Sequence, residues 1–166
     1  ITEEAMVRST KRHIDQMDAN SIDAQVIGPR PYMMLGWMAP HLMPHWTRLT
    51  NNFIAKQVTM HPTRFVGAAQ LPQNSSADDL SHCLPELDRC VGELGFGAVY
   101  LSPDPAGARK TPGMDKPYWN PVYERCVKLN VPIIVHGTNC LDPRFDIIPQ
   151  NYQMGFVQEQ YLATQL

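Results

Sequence analysis

Val131-Pro132-Ile133-Ile134-Val135-His136 sets the reading of the whole chain. The run is short, β-branched and unalternating, the pattern of a strand buried on both faces of a parallel sheet. Just upstream, Trp119, Val122, Tyr123, Cys126 and Val127 recur at helical spacing. Before them, Phe96 to Leu101 reads as a strand and Leu84, Leu87, Cys90, Val91 and Leu94 as a helical stripe. Pro85 either opens that helix or kinks one that began near Ala77. Phe65 to Leu71 is a further strand, and Trp46, Leu49, Phe53, Ile54 and Val58 mark a helix that His61-Pro62 should end. At the start, Thr2 caps a helix with Glu3 and Glu4 in its first turn and Met6, Thr10, His13 and Met17 along one face, running to about Asn20. Ile22 to Gly28 is the strand that follows, and a last helix is expected from about Tyr152 onward.

Helix and strand thus alternate with a period of about 35 residues, which argues for parallel strands joined by right-handed crossovers. Four strands are expected, near residues 22–28, 65–71, 96–101 and 131–136, adjacent in chain order with helices on one face. A strand order that jumps would instead mean an open doubly wound sheet. No linker or low-complexity segment divides residues 1–166, which read as a single domain.

The 166 residues carry 14 Lys and Arg against 16 Asp and Glu, a formal charge of −2, with 43% hydrophobic residues. That mixture can bury a core and gives no electrostatic reason to seek nucleic acid or an anionic membrane. Apolar runs such as Val131 to Val135 fall far short of the roughly 18 residues a membrane span needs. Cys83, Cys90, Cys126 and Cys140 include no CxxC pair and are too sparse for a disulfide scaffold, so a reduced, cytoplasmic protein is expected. Asn74-Ser75-Ser76 matches a glycosylation acceptor and is read as chance. The chain opens at Ile1 and closes at Gln165-Leu166 inside a stretch that reads as helix, so it is expected to be part of a longer one.

Each strand ends in a polar or proline-bearing turn: Gly28-Pro29-Arg30-Pro31, Gln70-Leu71-Pro72-Gln73, Ser102-Pro103-Asp104-Pro105 and His136-Gly137-Thr138-Asn139. In parallel α/β folds ligands sit outside the carboxyl ends of the strands, so the chemistry is sought there. His136 follows the buried run directly and precedes two small residues, which suits a metal ligand or a hydrogen-bonded core histidine. Arg30, stiffened by prolines on both sides, could grip a carboxylate bidentately or pair with a surface acid. Pro44 separates His41 from His45 and argues for loop residues over a helical ligand pair. Cys83 and Cys90 lie seven apart on one helical face and read as small buried thiols. Gly95-Phe96-Gly97 precedes a strand, as a helix-ending turn does, where a dinucleotide loop would follow one. Motifs for ATP hydrolysis, serine esterase and thermolysin-like zinc chemistry are absent from the sequence.

Several stretches resemble the metal-dependent amidohydrolase-related family. They are Asn51-Asn52-Phe53-Ile54-Ala55, Pro62-Thr63-Arg64-Phe65-Val66-Gly67, Leu71-Pro72-Gln73, Glu86-Leu87-Asp88-Arg89-Cys90-Val91 and Glu93-Leu94-Gly95-Phe96. Ser102-Pro103-Asp104-Pro105, Tyr118-Trp119-Asn120-Pro121 and Val131 to His136 continue the match. The family includes aminocarboxymuconate semialdehyde decarboxylase, resorcylate-type decarboxylases and 4-oxalomesaconate hydratase, and the likeness is greatest to the hydratase branch.

The resemblance implies a (β/α)8 TIM barrel with a divalent metal, zinc or manganese, held by an HxH pair on the first strand, a His ending the fifth and further residues beyond. The four strands here would then be the second to fifth, and His136 would match the fifth-strand ligand. No HxH pair occurs in these residues. A barrel takes about 250 residues, so this is about half of one. One imidazole cannot hold a catalytic metal, so this stretch by itself is expected to be inactive. Its exposed strand edges would need further strands or another chain, which accords with a homo-oligomer.

For the whole protein the resemblance implies a lyase, decarboxylase or hydratase, acting on a small aromatic or ring-cleavage carboxylic acid. Arg30 would grip a carboxylate, and Ser102 and Asn139 would line the site. Two alternatives stand beside it: a metal-dependent hydrolase of an amide or lactone, and a non-catalytic half-barrel scaffold.

Overall fold

The computed structural model describes residues 2–29, 34–106 and 110–135. Helix α1, Glu3–Ala19, starts where Thr2 Oγ1 accepts from the Ala5 amide at 3.2 Å, and its acids Glu3 and Glu4 sit at the positive end of the helix dipole. Strand β1, Gln25–Ile27, follows. Helix α2, Met43–Met60, carries Pro44 in its first turn, so this proline opens the helix where a proline interrupting it was expected. His45 is therefore helical, a correction to its assignment as a loop residue. Strand β2 spans Phe65–Gln70, and a short 3-10 turn, Ser81–Cys83, leads into α3, Leu84–Gly92. Pro85 opens α3, which resolves the two readings of that proline. Strand β3, Ala98–Leu101, a second 3-10 turn, Pro117–Trp119, helix α4, Asn120–Leu129, and strand β4, Ile133–Val135, complete the order. The helix expected from Tyr152 lies outside the described residues.

The four strands pair in parallel in the order β1-β2-β3-β4, as βα alternation with short connections requires and as a doubly wound sheet would not show. Register runs from Gln25↔Phe65 through Ala68↔Ala98 to Leu101↔Val135. Alternation sends Phe65, Ala69, Val99 and Leu101 toward the helices, where they join Met17, Ile54, Leu87, Trp119 and Val122 in one core. The opposite face carries Val26 and Val66, which are register partners and are 39% and 40% exposed. On that face the Tyr100 ring fits the notch left by Gly28, where an added Cβ would come within 2.1 Å of it.

β4 is half-buried along its length, not enclosed on both faces as its apolar run suggested, because among the described residues it has a neighbour on one side alone. Gly95, with φ +68°, makes the helix-ending turn after α3. Among the described residues no helix is long and apolar enough to cross a membrane.

An ionic cluster joins α2 to α3. Arg89 grips Glu86 side-on, Nε to Oε2 at 2.8 Å and Nη2 to Oε1 at 2.6 Å, and its Nη1 donates to Asn52 Oδ1 at 3.0 Å. Asn51 Nδ2 donates to Glu86 Oε1 at 2.8 Å. Burial opposes ionisation of Glu86, but the hydrogen bonds from Arg89 and Asn51 outweigh it and hold the carboxyl below its ordinary value. The side chains of Arg89 and Glu86 are 8% and 11% exposed, so removing either charge strands the other in a poorly solvated place.

A carboxyl with a lowered native pKa adds stability above its unfolded value near 4.5, and that stability is lost as pH falls through the native value. Thermal unfolding followed from pH 7 to pH 3 should show this acid limb, and Glu86→Gln should flatten it while lowering stability at pH 7 by about 3 kcal/mol. Cys83, Cys90 and Cys126 are free and buried, and burial pushes the Cys126 thiol up to about 11 and the other two further. At pH 8 peptide mapping should find all three slow to alkylate in the native protein and fast in guanidinium. As raised thiols, they should also cost stability as pH climbs above 9.

Candidate active site at the carboxyl rim

Because all four strands run parallel, Ile27, Gln70, Leu101 and Val135 end on the same rim. Ser102 is the first residue beyond β3, is 2% exposed, and continues the inward-facing row of Ala98 and Tyr100. Arg30, His136 and Asn139, the other candidates, lie outside the described residues. Of the four candidates, Ser102 is the one placed at the rim among the described residues.

Two carboxamides that sequence patterns do not single out organise this rim. Gln25 N donates to Arg64 O at 2.9 Å, and Val99 N to Pro132 O at 3.0 Å, which fixes the parity of the ladders. Residues 66, 68 and 70 consequently aim their backbone groups at β1, and residues 98, 100 and 102 aim theirs at β2. Pairing of β1 with β2 ends at Ile27↔Gly67, and pairing of β2 with β3 ends at Gln70↔Tyr100. The peptide groups of Gln70 and Ser102 thus face lanes from which the neighbouring strand has departed.

Asn51 fills the first lane: its Oδ1 accepts from Gln70 N at 3.0 Å and its Nδ2 donates to Gln70 O at 2.9 Å. Gln73 fills the second in the same way, Ser102 N donating to Oε1 at 2.9 Å and Nε2 donating to Ser102 O at 2.8 Å. A carboxamide has the donor and acceptor of a peptide group, so each acts as a rung of the ladder made from a side chain. All four residues are almost fully buried, where an unpaired backbone group is costly.

Gln70 extends the arrangement. Its Nε2 donates to the Met34 carbonyl at 3.1 Å, anchoring the segment between β1 and α2, and its Oε1 accepts from Thr50 at 3.3 Å. The loop after β2 is held by the Tyr118 hydroxyl, which donates to Asn74 O at 3.0 Å, and the loop after β3 by Trp119 Nε1, which donates to Pro112 O at 3.0 Å. No local spacing marks Asn51 or Gln73; Asn51 enters the sequence reading within a stretch quoted for its family resemblance, and Gln73 within such a stretch and the turn after the second strand.

Among the described residues no group of three His, Cys, Asp or Glu is placed to hold a metal ion. The described part of the chain does not form a metal centre by itself. A cavity of about 510 Å³ lies elsewhere, between α3 and α4, with Asp79, Glu124, Arg125 and Lys128 in its lining. It does not include Ser102.

Comparison with known proteins adds to this geometry. The chain is 37% identical over 127 residues to 2-keto-4-carboxy-3-hexenedioate hydratase of Sphingobium sp. (strain NBRC 103272 / SYK-6), a match covering 73% of this chain and 36% of that protein. It is 28% identical over 123 residues to 2-amino-3-carboxymuconate-6-semialdehyde decarboxylase of Dictyostelium discoideum, covering 74% and 32%. The crystal structure of 4-oxalomesaconate hydratase from Rhodopseudomonas palustris superposes with a TM-score of 0.74 at 30% identity, covering 82% of this chain and 40% of that one. A dihydroxybenzoic acid decarboxylase from Polaromonas sp. JS666, solved with manganese and 2-nitroresorcinol, gives 0.65 at 29% identity, covering 77% and 38%.

The chain spans about a third to two fifths of the length of these relatives. The expected architecture holds: four consecutive parallel strands with their helices are about half of a (β/α)8 barrel. The amidohydrolase family model matches residues 7–166, and the chain belongs to that family.

Proposed function

We propose that the whole protein is a metal-dependent lyase, a decarboxylase or hydratase, acting on a small aromatic or ring-cleavage carboxylic acid. The observation that carries this reading is the combination of a buried, side-chain-braced rim with similarity to a hydratase at 37% identity and to decarboxylases. In this proposal residues 1–166 are one partial barrel domain contributing the second to fifth strands. His136, at the end of the last of them, would be a metal ligand, with the remaining ligands supplied from outside residues 1–166. Bound manganese in the dihydroxybenzoic acid decarboxylase supports a divalent ion, manganese or zinc. Such an ion would polarise a substrate oxygen or activate water.

The chain's own residues would bind and orient. Arg30 would hold a substrate carboxylate through its planar guanidinium, and Asn139 and Ser102 would line the pocket. Ser102 brings a backbone already fixed on both its polar groups by Gln73, so it loses little freedom when substrate arrives. Three free buried thiols suit a reducing, cytoplasmic setting, and a homo-oligomer is part of the same proposal.

In the full-length enzyme, His136→Ala should lower metal content and turnover together and leave the circular dichroism spectrum in place, because it removes one imidazole and little apolar volume. Elemental analysis of the purified wild type and variant checks this. Equal metal occupancy at unchanged affinity would return His136 to a core hydrogen-bonding role. Incubation with a keto-diacid or a dihydroxybenzoate, following CO₂ release against water addition, separates decarboxylase from hydratase.

A further inference from the structure

We propose that Asn51 and Gln73 are positioning residues for the reaction at the rim, each acting through the backbone it braces. The inference rests on the lyase reading above and adds a role for two residues that would not themselves touch substrate.

A parallel sheet has its working end at the carboxyl ends of its strands. For a cleft to open there, the segments after β1 and β2 must leave the sheet, yet each departure strips hydrogen bonds from the strand left behind. Water could satisfy the bared groups only by entering the rim, and Gln70, Gln73 and Ser102 are each 1–2% exposed. The carboxamides solve both problems, since they satisfy the bared peptide groups and keep the lane at the width of a strand spacing.

The two braces are also tied to the rest of the fold. Asn51 uses its second amide hydrogen on Glu86, which Arg89 grips from α3, so α2, α3 and the end of β2 form one connected unit. Through Gln70 the unit extends to Met34, on the segment leading back toward Arg30. Gln73 sits in the loop after β2 and braces the end of β3, so one strand's departing loop holds the next strand's end. Loss of either brace would let a strand end drift, and a reacting group displaced by about 1 Å can cost up to a hundredfold in rate.

The test uses full-length enzyme loaded with its metal, comparing wild type, Gln73→Ala, Gln73→Glu and Asn51→Asp. Met17→Ala serves as a control, a core position in the last turn of α1, which leads into the amino end of β1 and so lies at the end of the sheet opposite the rim. Gln73→Ala should lower kcat/KM per folded molecule by about tenfold to a hundredfold, and Met17→Ala should leave it unchanged. Gln73→Glu gives the readout that a purely structural brace would not move. A protonated carboxylic acid offers one donor and one acceptor, as the carboxamide does, whereas the ionised form turns a negative oxygen toward the Ser102 carbonyl. The kcat/KM ratio of Gln73→Glu to wild type should therefore climb as pH falls from 8 to 5.5, while the Gln73→Ala ratio stays flat. Asn51→Asp should behave like Gln73→Glu with a deeper defect at pH 8, since it also sets a second carboxylate against Glu86.

If Gln73→Ala fails to fold, the pH dependence of the Gln73→Glu ratio decides alone. Variants that lose Tm yet keep wild-type kcat/KM at every pH would overturn the inference and leave the lyase reading standing. A metal-loaded wild type inactive on both acid classes would overturn that reading, and the inference with it.

Discussion

A strand in a parallel sheet carries hydrogen-bonding groups on both edges, and every such group buried without a partner costs free energy of the order of a lost hydrogen bond. The architecture of this chain follows from how that constraint is met where the strands stop being paired. Within the sheet the ladders suffice. Beyond Gly67 and Gln70 they do not, and side-chain carboxamides replace them. The replacement lets the rim stay dry and ordered while the connecting segments turn outward. A rim built this way is stiffer than one finished by loops alone, because each brace is a pair of hydrogen bonds to a strand end and not a contact between two mobile loops.

The buried charge of Glu86 belongs to the same solution. A carboxylate on the helix layer would ordinarily be a poor choice for stability, since desolvation can exceed the attraction of its partner. Here it accepts from Arg89 through both oxygens and from Asn51, whose other bonds go to Gln70. The cluster orients the asparagine amide, and with Glu86 accepting from its second hydrogen, a flipped amide would set oxygen against oxygen.

Much of the fold was legible in the sequence, because it is written in local signals. Apolar residues at helical spacing, Pro85 under one of its two readings, and short β-branched runs gave element types and the order of the sheet. Misreadings arose where one local signal had two meanings. Pro44 marks a helix start as readily as an interruption, so His45 was assigned to a loop. The strands proved shorter than their apolar runs, since pairing stops where the neighbour turns away: β1 keeps Gln25–Ile27 out of a run from Ile22 to Gly28. The braces were illegible for a different reason. Asn51 meets Gln70 across 19 residues and Gln73 meets Ser102 across 29, and no spacing rule within one helix or strand records such a contact. Of the candidate site, the sequence located the rim and named Ser102, but not what holds Ser102 still.

The pairing order has a consequence for how the chain acquires its structure. Each strand pairs with its successor, and the paired residues Gln25 and Phe65, Ala68 and Ala98, and Val99 and Ile133 are 40, 30 and 34 residues apart. Loop closure over such distances grows only logarithmically in entropic cost, so the three closures are nearly equal in difficulty and none has to wait for the far end of the chain. The topology therefore permits assembly in the direction of synthesis, one helix and one strand at a time. At about 5–20 residues per second, each new unit leaves the ribosome seconds after the one it docks against.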